Sequence, residues 1–173
     1  MNLNPRIGLS FDGQCEAAFQ FYERCLNGKI TFMFRWGESP MAKDATHAIR
    51  QQIARYTAAL DAADIDLASQ VWQTSAEVSF IHPGGHARGW EEVKEIYKFF
   101  GSSFSERKLT VRDVSVHVNR ETAWAEFYWH FAAKQSKDGS AAQTDGRETQ
   151  IYYKAGNRWQ LVHVHYSGPA MAP

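Results

Sequence analysis

Seven histidines are the first candidates for chemistry in this 173-residue chain. His163 and His165 stand two apart in an apolar run, so an extended strand puts both on one face. With His130 nearby, three imidazoles on one sheet face would have the ligand type that zinc selects. The same spacing also serves plain hydrogen bonding across an interface, and the sequence is read as having no metal site and needing no cofactor. His86 and His117 are expected on a loop and on a solvent face. Aromatic residues make up 14% of the chain, with six Trp, seven Tyr and eleven Phe. Such rings fill cores and also line pockets for flat apolar ligands, and composition leaves both uses open. Covalent catalysis finds no motif: there is no Gly-x-Ser-x-Gly turn, no phosphate-cradling glycine loop and no cysteine beside a matched histidine.

Charge narrows the field further. Nineteen basic and nineteen acidic residues give zero formal net charge, so no basic surplus exists to neutralise phosphates, and nucleic acid is not an expected partner. No lysine-rich amphipathic stretch or apolar run of about 20 residues points to a membrane. Met1 to Ser10 lacks the basic start and apolar run of a signal peptide. Cys15 and Cys25 lie roughly 15 Å apart along a helix, beyond the reach of a disulfide, and unpaired thiols suggest a reducing, cytoplasmic setting.

The elements that must position these groups follow from periodicity. Arg6–Phe11 and Lys29–Trp36 read as strands around a helix over Cys15–Leu26, with Gly37–Asp44 as a linker. A β-α-β unit of this size buries too little to be stable alone. From Thr46, a plausible N-cap, Ile49, Ile53, Tyr56 and Leu60 recur at helical spacing. Asp64 caps a short helix carrying Leu67, Val71 and Trp72. A strand over Val78–His82 ends at Pro83-Gly84-Gly85, and Trp90–Phe100 forms a third helix. The period then changes to two. Leu109, Val111, Val114, Val116 and Val118 mark a long strand with one irregularity, and Thr122–Gln135 is a second strand dense in rings. A polar loop covers Ser136–Gly146, and Arg147–Lys154 and Arg158–Ser167 form a hairpin. Three helices and a strand followed by an antiparallel meander make an α+β fold, its helices on one sheet face. The domain division is 1–44 for the extension and 45–173 for the main domain.

Four segments carry a resemblance to the nuclear transport factor two-like superfamily. They are Tyr56 to Asp64, the turn His82-Pro83-Gly84-Gly85 with Gly89, Glu148-Thr149-Gln150 after Asp145-Gly146, and Trp159 through Pro169. The last is similar to the terminal strand of SnoaL-like proteins and of the calcium/calmodulin-dependent kinase association domain. The resemblance implies a cone-shaped, cystatin-like domain over about 46–169 whose curved sheet and helices enclose a pocket. The opening segment from Leu9 to Tyr22 resembles the first β-α-β of PhnB-type vicinal oxygen chelate proteins, without the later strands that supply most metal ligands there.

Compared with the steroid isomerases of the superfamily, the base position falls on His82, which has a competent imidazole. The phenolic donor falls on Tyr56, and the protonated acid falls near Thr149, which has no carboxylate. Three arginine positions of the kinase association domain fall on Trp129, Gln150 and Tyr166, none cationic, which favours a flat, mainly apolar ligand. If Trp129 faces inward, Ala125, Phe127 and Phe131 do too, and Phe80, Trp72, Trp90 and Tyr97 would close the cavity. The leading expectation is binding of a small apolar or aromatic molecule. The alternatives are a proton-transfer enzyme of isomerase, cyclase or dehydratase type using His82 and Tyr56, and a non-catalytic oligomeric scaffold. Trp124, Glu126, Tyr128 and His130 form the opposite face of the aromatic strand, where a homodimer is expected. A bulge would reverse which parity of the last two strands faces inward.

Overall fold

The computed structural model describes residues 14–26, 28–30 and 40–168. The chain divides into two compact units, 1–35 and 36–173. In the first, α1 (Cys15–Cys25) is the expected helix, and its end is capped by the Leu26 N–H donating to the Tyr22 carbonyl at 2.9 Å. The Cys25 thiol is free. The strand expected over Arg6–Phe11, and all but the start of the one over Lys29–Trp36, lie outside the described residues.

The second unit begins with α2 (Pro40–Ala62). This helix starts earlier than the Thr46 cap suggested. Proline suits a first helical turn, where its missing N–H has no intrahelical partner to lose. Ile49, Ile53, Tyr56 and Leu60 form its buried face, as their spacing implied. Ala63, with φ 52°, breaks the helix, and Asp64 Oδ1 accepts the Leu67 N–H at 2.9 Å to start α3 (Ile65–Val71). Then come β1 (Ser79–His82), β2 (Gly85–Arg88) and α4 (Gly89–Ser103). Four long strands complete the unit: β3 (Phe104–Asn119), β4 (Thr122–Gln135), β5 (Ala141–Ala155) and β6 (Arg158–Ser167). With β1 and β2 they form one six-stranded sheet in the order β2-β1-β6-β5-β4-β3. Every pairing is antiparallel except β1 with β6. The fold is therefore the expected α+β class, with helices covering one sheet face.

Three local expectations change. His86 lies on β2, an exposed position of a short hairpin strand, because Pro83-Gly84 turns the chain straight back onto β1. The polar stretch before Gly146 is mostly strand: Ala141 already pairs with Lys134, and only Ser136–Ser140 turns. There β4 is long enough to pair with it, which overrides a composition that reads as loop. Strand β3 carries two register shifts rather than one, at Ser105/Lys108 and Arg112/Ser115, with Glu106 and Asp113 at positive φ. Bulges of this kind bend and twist a strand, which lets a long sheet curl around the helices. Asp61 ties α2 to the first bulge: Oδ1 accepts the Leu109 N–H at 2.6 Å and Oδ2 pairs with Lys108 at 2.7 Å.

Candidate functional site

The inner sheet face is built by strict alternation. On β4, Ala123, Ala125, Phe127, Trp129, Phe131 and Ala133 are buried, while Trp124 and Tyr128 on the other face are exposed. On β5 the buried row is Gly146, Glu148, Gln150 and Tyr152. Strand β6 changes parity partway. Ile151 pairs with His163 but Tyr152 pairs with Leu161, so Val162 is an extra residue. Trp159 and Leu161 face the core before this bulge, and Val164 and the half-buried Tyr166 follow it. His163 and His165 alternate with that inward pair.

Two adjoining chambers open between this face and the helices. The inner one encloses about 190 Å³. Its walls come from Tyr56 and Leu60 on α2, Phe104 and Leu109 on β3, Phe131 on β4, and Thr144 and Glu148 on β5. The outer one encloses about 460 Å³ between the β1–β2 hairpin, from His82 to Ala87, and Glu92, Glu95 and Ile96 of α4. Phe80, Phe99, Phe100 and Tyr166 line both. Apolar rings therefore dominate the walls, with a few polar groups placed among them.

Glu148 is the buried carboxyl group of the inner wall. Its side chain is 3% exposed, and loss of hydration pushes its pKa up to about 8. Hydrogen bonds from Gln150 and Tyr56 oppose that shift without cancelling it. The Gln150 amide donates to Glu148 Oε1 at 2.6 Å, and the Tyr152 hydroxyl donates to Gln150 Oε1. Tyr56, Tyr97 and Tyr152 are all fully buried, and burial first, then the Glu148 charge, raises the pKa of Tyr56 and Tyr152. Tyr166 is raised by the same two causes. Tyr97 also rises by burial, and its hydroxyl accepts the Trp72 indole N–H at 3.0 Å. At neutral pH this arrangement holds Glu148 as a carboxylic acid able to donate or release a proton.

His82 lies on the outer chamber wall, its ring edge-on to Phe80 with centroids 5.9 Å apart. Nδ1 accepts the Gly84 N–H at 3.2 Å. A neutral ring with Nδ1 as acceptor carries its proton on Nε2, so in this arrangement Nε2 presents an N–H donor. To take a proton at Nε2 the ring must first give up the Gly84 contact.

The two residues matched to catalytic roles are thus on different walls, Tyr56 inner and His82 outer, and no chamber is lined by both. Of the ligand-contacting candidates, Phe80 and Tyr166 line both chambers. Trp72, Tyr97, Phe127, Trp129 and Gln150 lie in the packed core, and Trp90 is half-buried against it, all away from the chamber walls. Trp129 stacks on Tyr166 at 4.2 Å and fills the space that Gly146 leaves by lacking a Cβ. A Cβ there would stand 2.2 Å from Trp129 Cζ2. Glu148 is the group the sequence comparison passed over, because the acid was sought at Thr149, one residue on and facing the other way. The row Gly146, Glu148, Gln150, Tyr152 at period two was the signal that could have found it. On the outer face, Ser79 Oγ and His163 Nδ1 are 2.7 Å apart, and burial, then His165 and His86, lower the His163 pKa.

Comparison with known proteins gives a consistent result. The family model described as SnoaL-like domain matches residues 49–171. No curated protein matches the chain. A nuclear transport factor 2-like superfamily protein from Salmonella enterica serovar Typhimurium is 40% identical, covering 76% of this chain and 96% of that one, with a TM-score of 0.74. A provisionally named scytalone dehydratase from Novosphingobium aromaticivorans is 14% identical over 75% of this chain and 87% of its own, with a TM-score of 0.67. A provisionally named calcium/calmodulin dependent protein kinase II association domain from Xanthomonas campestris is 14% identical over 72% and 87%, with a TM-score of 0.62. At that identity the last two show a shared fold alone.

Proposed function

The chain belongs to the SnoaL-like domain family, within the nuclear transport factor 2-like superfamily, and from that premise we propose that it binds a small, mainly apolar or aromatic molecule in the two adjoining chambers. One observation carries this reading: cavities of about 190 and 460 Å³ share a wall of four aromatic rings and hold a buried carboxyl group at the inner end. Apolar walls supply affinity and a few polar groups fix orientation. Thermal-shift measurements with neutral steroids, polyketide-like aromatic ketones and aromatic acids test it. A ligand present at ~100 times its Kd adds about 2.7 kcal/mol to stability, a shift of several degrees. A flat response to every apolar compound sinks the proposal.

A second reading, proton transfer of the isomerase or dehydratase type, draws on Glu148, which burial keeps protonated near neutral pH, as the carboxyl partner of Tyr56. The dehydratase name of the Novosphingobium neighbour points the same way. His82 would serve from the outer wall, and replacing it by Ala abolishes turnover of a true substrate under this reading; unchanged turnover removes that role. Either reading is compatible with a homodimer through the outer sheet face, where Trp124, Tyr128 and Tyr153 are exposed.

A further inference from the structure

Of the four rings shared by the two chambers, three are tucked away: Phe80 is 4% exposed, and Phe100 and Tyr166 are half-buried. Phe99 is the exception, at 56%. It borders both chambers and bulk water at once, and so stands where their junction meets solvent.

The sequence of α4 explains this placement. Glu92, Glu95, Ile96 and Phe99 recur at steps of three and four, which lays one stripe of the helix along the outer chamber. Val93 and Tyr97 anchor the neighbouring stripe and are fully buried. Phe99 closes its stripe close to the helix end. Its ring meets Phe100 and Phe104 edge-on, with centroids 6.0 Å away in each case. Those contacts leave more than half of the residue in water, where a phenyl group forgoes the burial that stabilises the other wall rings. An apolar ligand in the junction would supply the missing partner.

The residues around Phe99 leave it room to move. Gly101 must stay small, because an added Cβ would stand 3.2 Å from that of Ala63, and glycine holds a helix more weakly than any residue but proline. Ser102 and Ser103 then end α4. A helical phenylalanine has two accessible χ1 wells, at about 180° and −60°. Exposed side chains exchange between such wells on the picosecond to nanosecond scale.

Resting on the small-molecule reading above, we infer that Phe99 is the gate of the cavity: one orientation of its ring closes the junction to solvent, another admits a ligand, and the ring folds back against the bound molecule. A gate that exchanges this fast slows entry by the fraction of time it stands closed, and slows escape in the same way. It therefore acts on both rates. A residue that only lines the wall acts on escape alone, since truncating it removes contacts with the bound ligand and leaves the encounter unchanged.

Stopped-flow fluorescence at pH 7 with the neutral probe N-phenyl-1-naphthylamine separates the two roles. Phe99→Ala should raise the association rate constant at least about threefold and the dissociation rate constant at least about tenfold. Phe99→Leu, smaller than the parent residue and still apolar, gives the same reading if Phe99→Ala does not fold. Phe99→Trp, with a larger ring at the same place, should slow association below that of the parent. A parent-like association rate in Phe99→Ala, or faster entry through Phe99→Trp, overturns the gate and leaves the small-molecule reading standing. If the probe is not bound, the most stabilising compound of the thermal-shift panel replaces it, followed by tryptophan fluorescence and judged by the same criterion. A panel with no stabilising compound removes the gate and the small-molecule reading together.

Discussion

A carboxyl group sealed among tyrosines resists ionising, and Glu148 expresses that resistance as a dependence of stability on pH. In the unfolded chain an ordinary glutamate titrates near 4.5, and in the folded protein Glu148 titrates at about 8. Between those values the folded state binds the proton and the unfolded state does not. Glu148 therefore contributes its full stability below about 4.5, and that contribution is lost as pH rises through about 8. The expected loss is on the order of a few kcal/mol. Glu148→Gln keeps the shape and the hydrogen bonding but cannot titrate, so the slope of melting temperature against pH should flatten over this window. An unchanged slope would show that Glu148 is not the group responsible. His163 works with the opposite sign: burial lowers its pKa, so its contribution fades as pH falls. The residue-level chemistry was only partly legible beforehand. Tyr56 and His82 stand out by their matched positions, whereas Glu148 shows in the sequence only as one member of a period-two row, and its raised proton affinity follows from burial.

Pairing between elements sets which of these groups share a space. Gly146 sits opposite Trp129 across β4 and β5. The absent Cβ lets the indole lie flat beside the sheet and stack on Tyr166, one of the rings common to both chambers. Gly146→Ala places a methyl group against both Trp129 and the Ser167 carbonyl, so overpacking should cost about 1–3 kcal/mol or more in chemical denaturation. Adding Trp129→Phe should recover only part of it, because the Ser167 carbonyl remains. A Gly146→Ala protein as stable as the parent would contradict this packing. The bulge at Val162 has a comparable reach. Strict alternation from Trp159 and Leu161 would carry His163 and His165 inward and Tyr166 outward, and the extra residue exchanges them. The irregular step from Val111 to Val114 could be read in advance because the valines themselves skip a position. The Val162 bulge could not, because the residues on both sides of it are apolar or aromatic.

At the scale of the whole molecule, the sheet has one face buried under helices and another that exposes Trp124, Tyr128 and Tyr153. Parts of this outer face are already engaged: Trp124 stacks on His117 at 4.8 Å, the Arg112 guanidinium lies 4.5 Å over Tyr128, and His130 pairs with Asp145 at 2.9 Å. Several exposed rings on one sheet face are the surface that a second copy would cover. Light scattering should then return twice the 19.7 kDa chain mass, and a monomer would argue against the interface. No helix among the described residues is long and apolar enough to cross a membrane.

Within the second unit, the amino-acid sequence by itself determined the order of the helices and of every strand but β2, the buried face of α2, the alternation along β4 and the family-level fold. These are local properties, written in periods of 3.6 and two and in turn residues. Tertiary structure alone decided that Tyr56 and His82 line different chambers, that Tyr166 faces inward, and that Glu148 rather than Thr149 supplies the buried acid. Those outcomes depend on register across strands and on removal from water, and a carboxyl group acquires an unusual proton affinity only after the fold has closed around it.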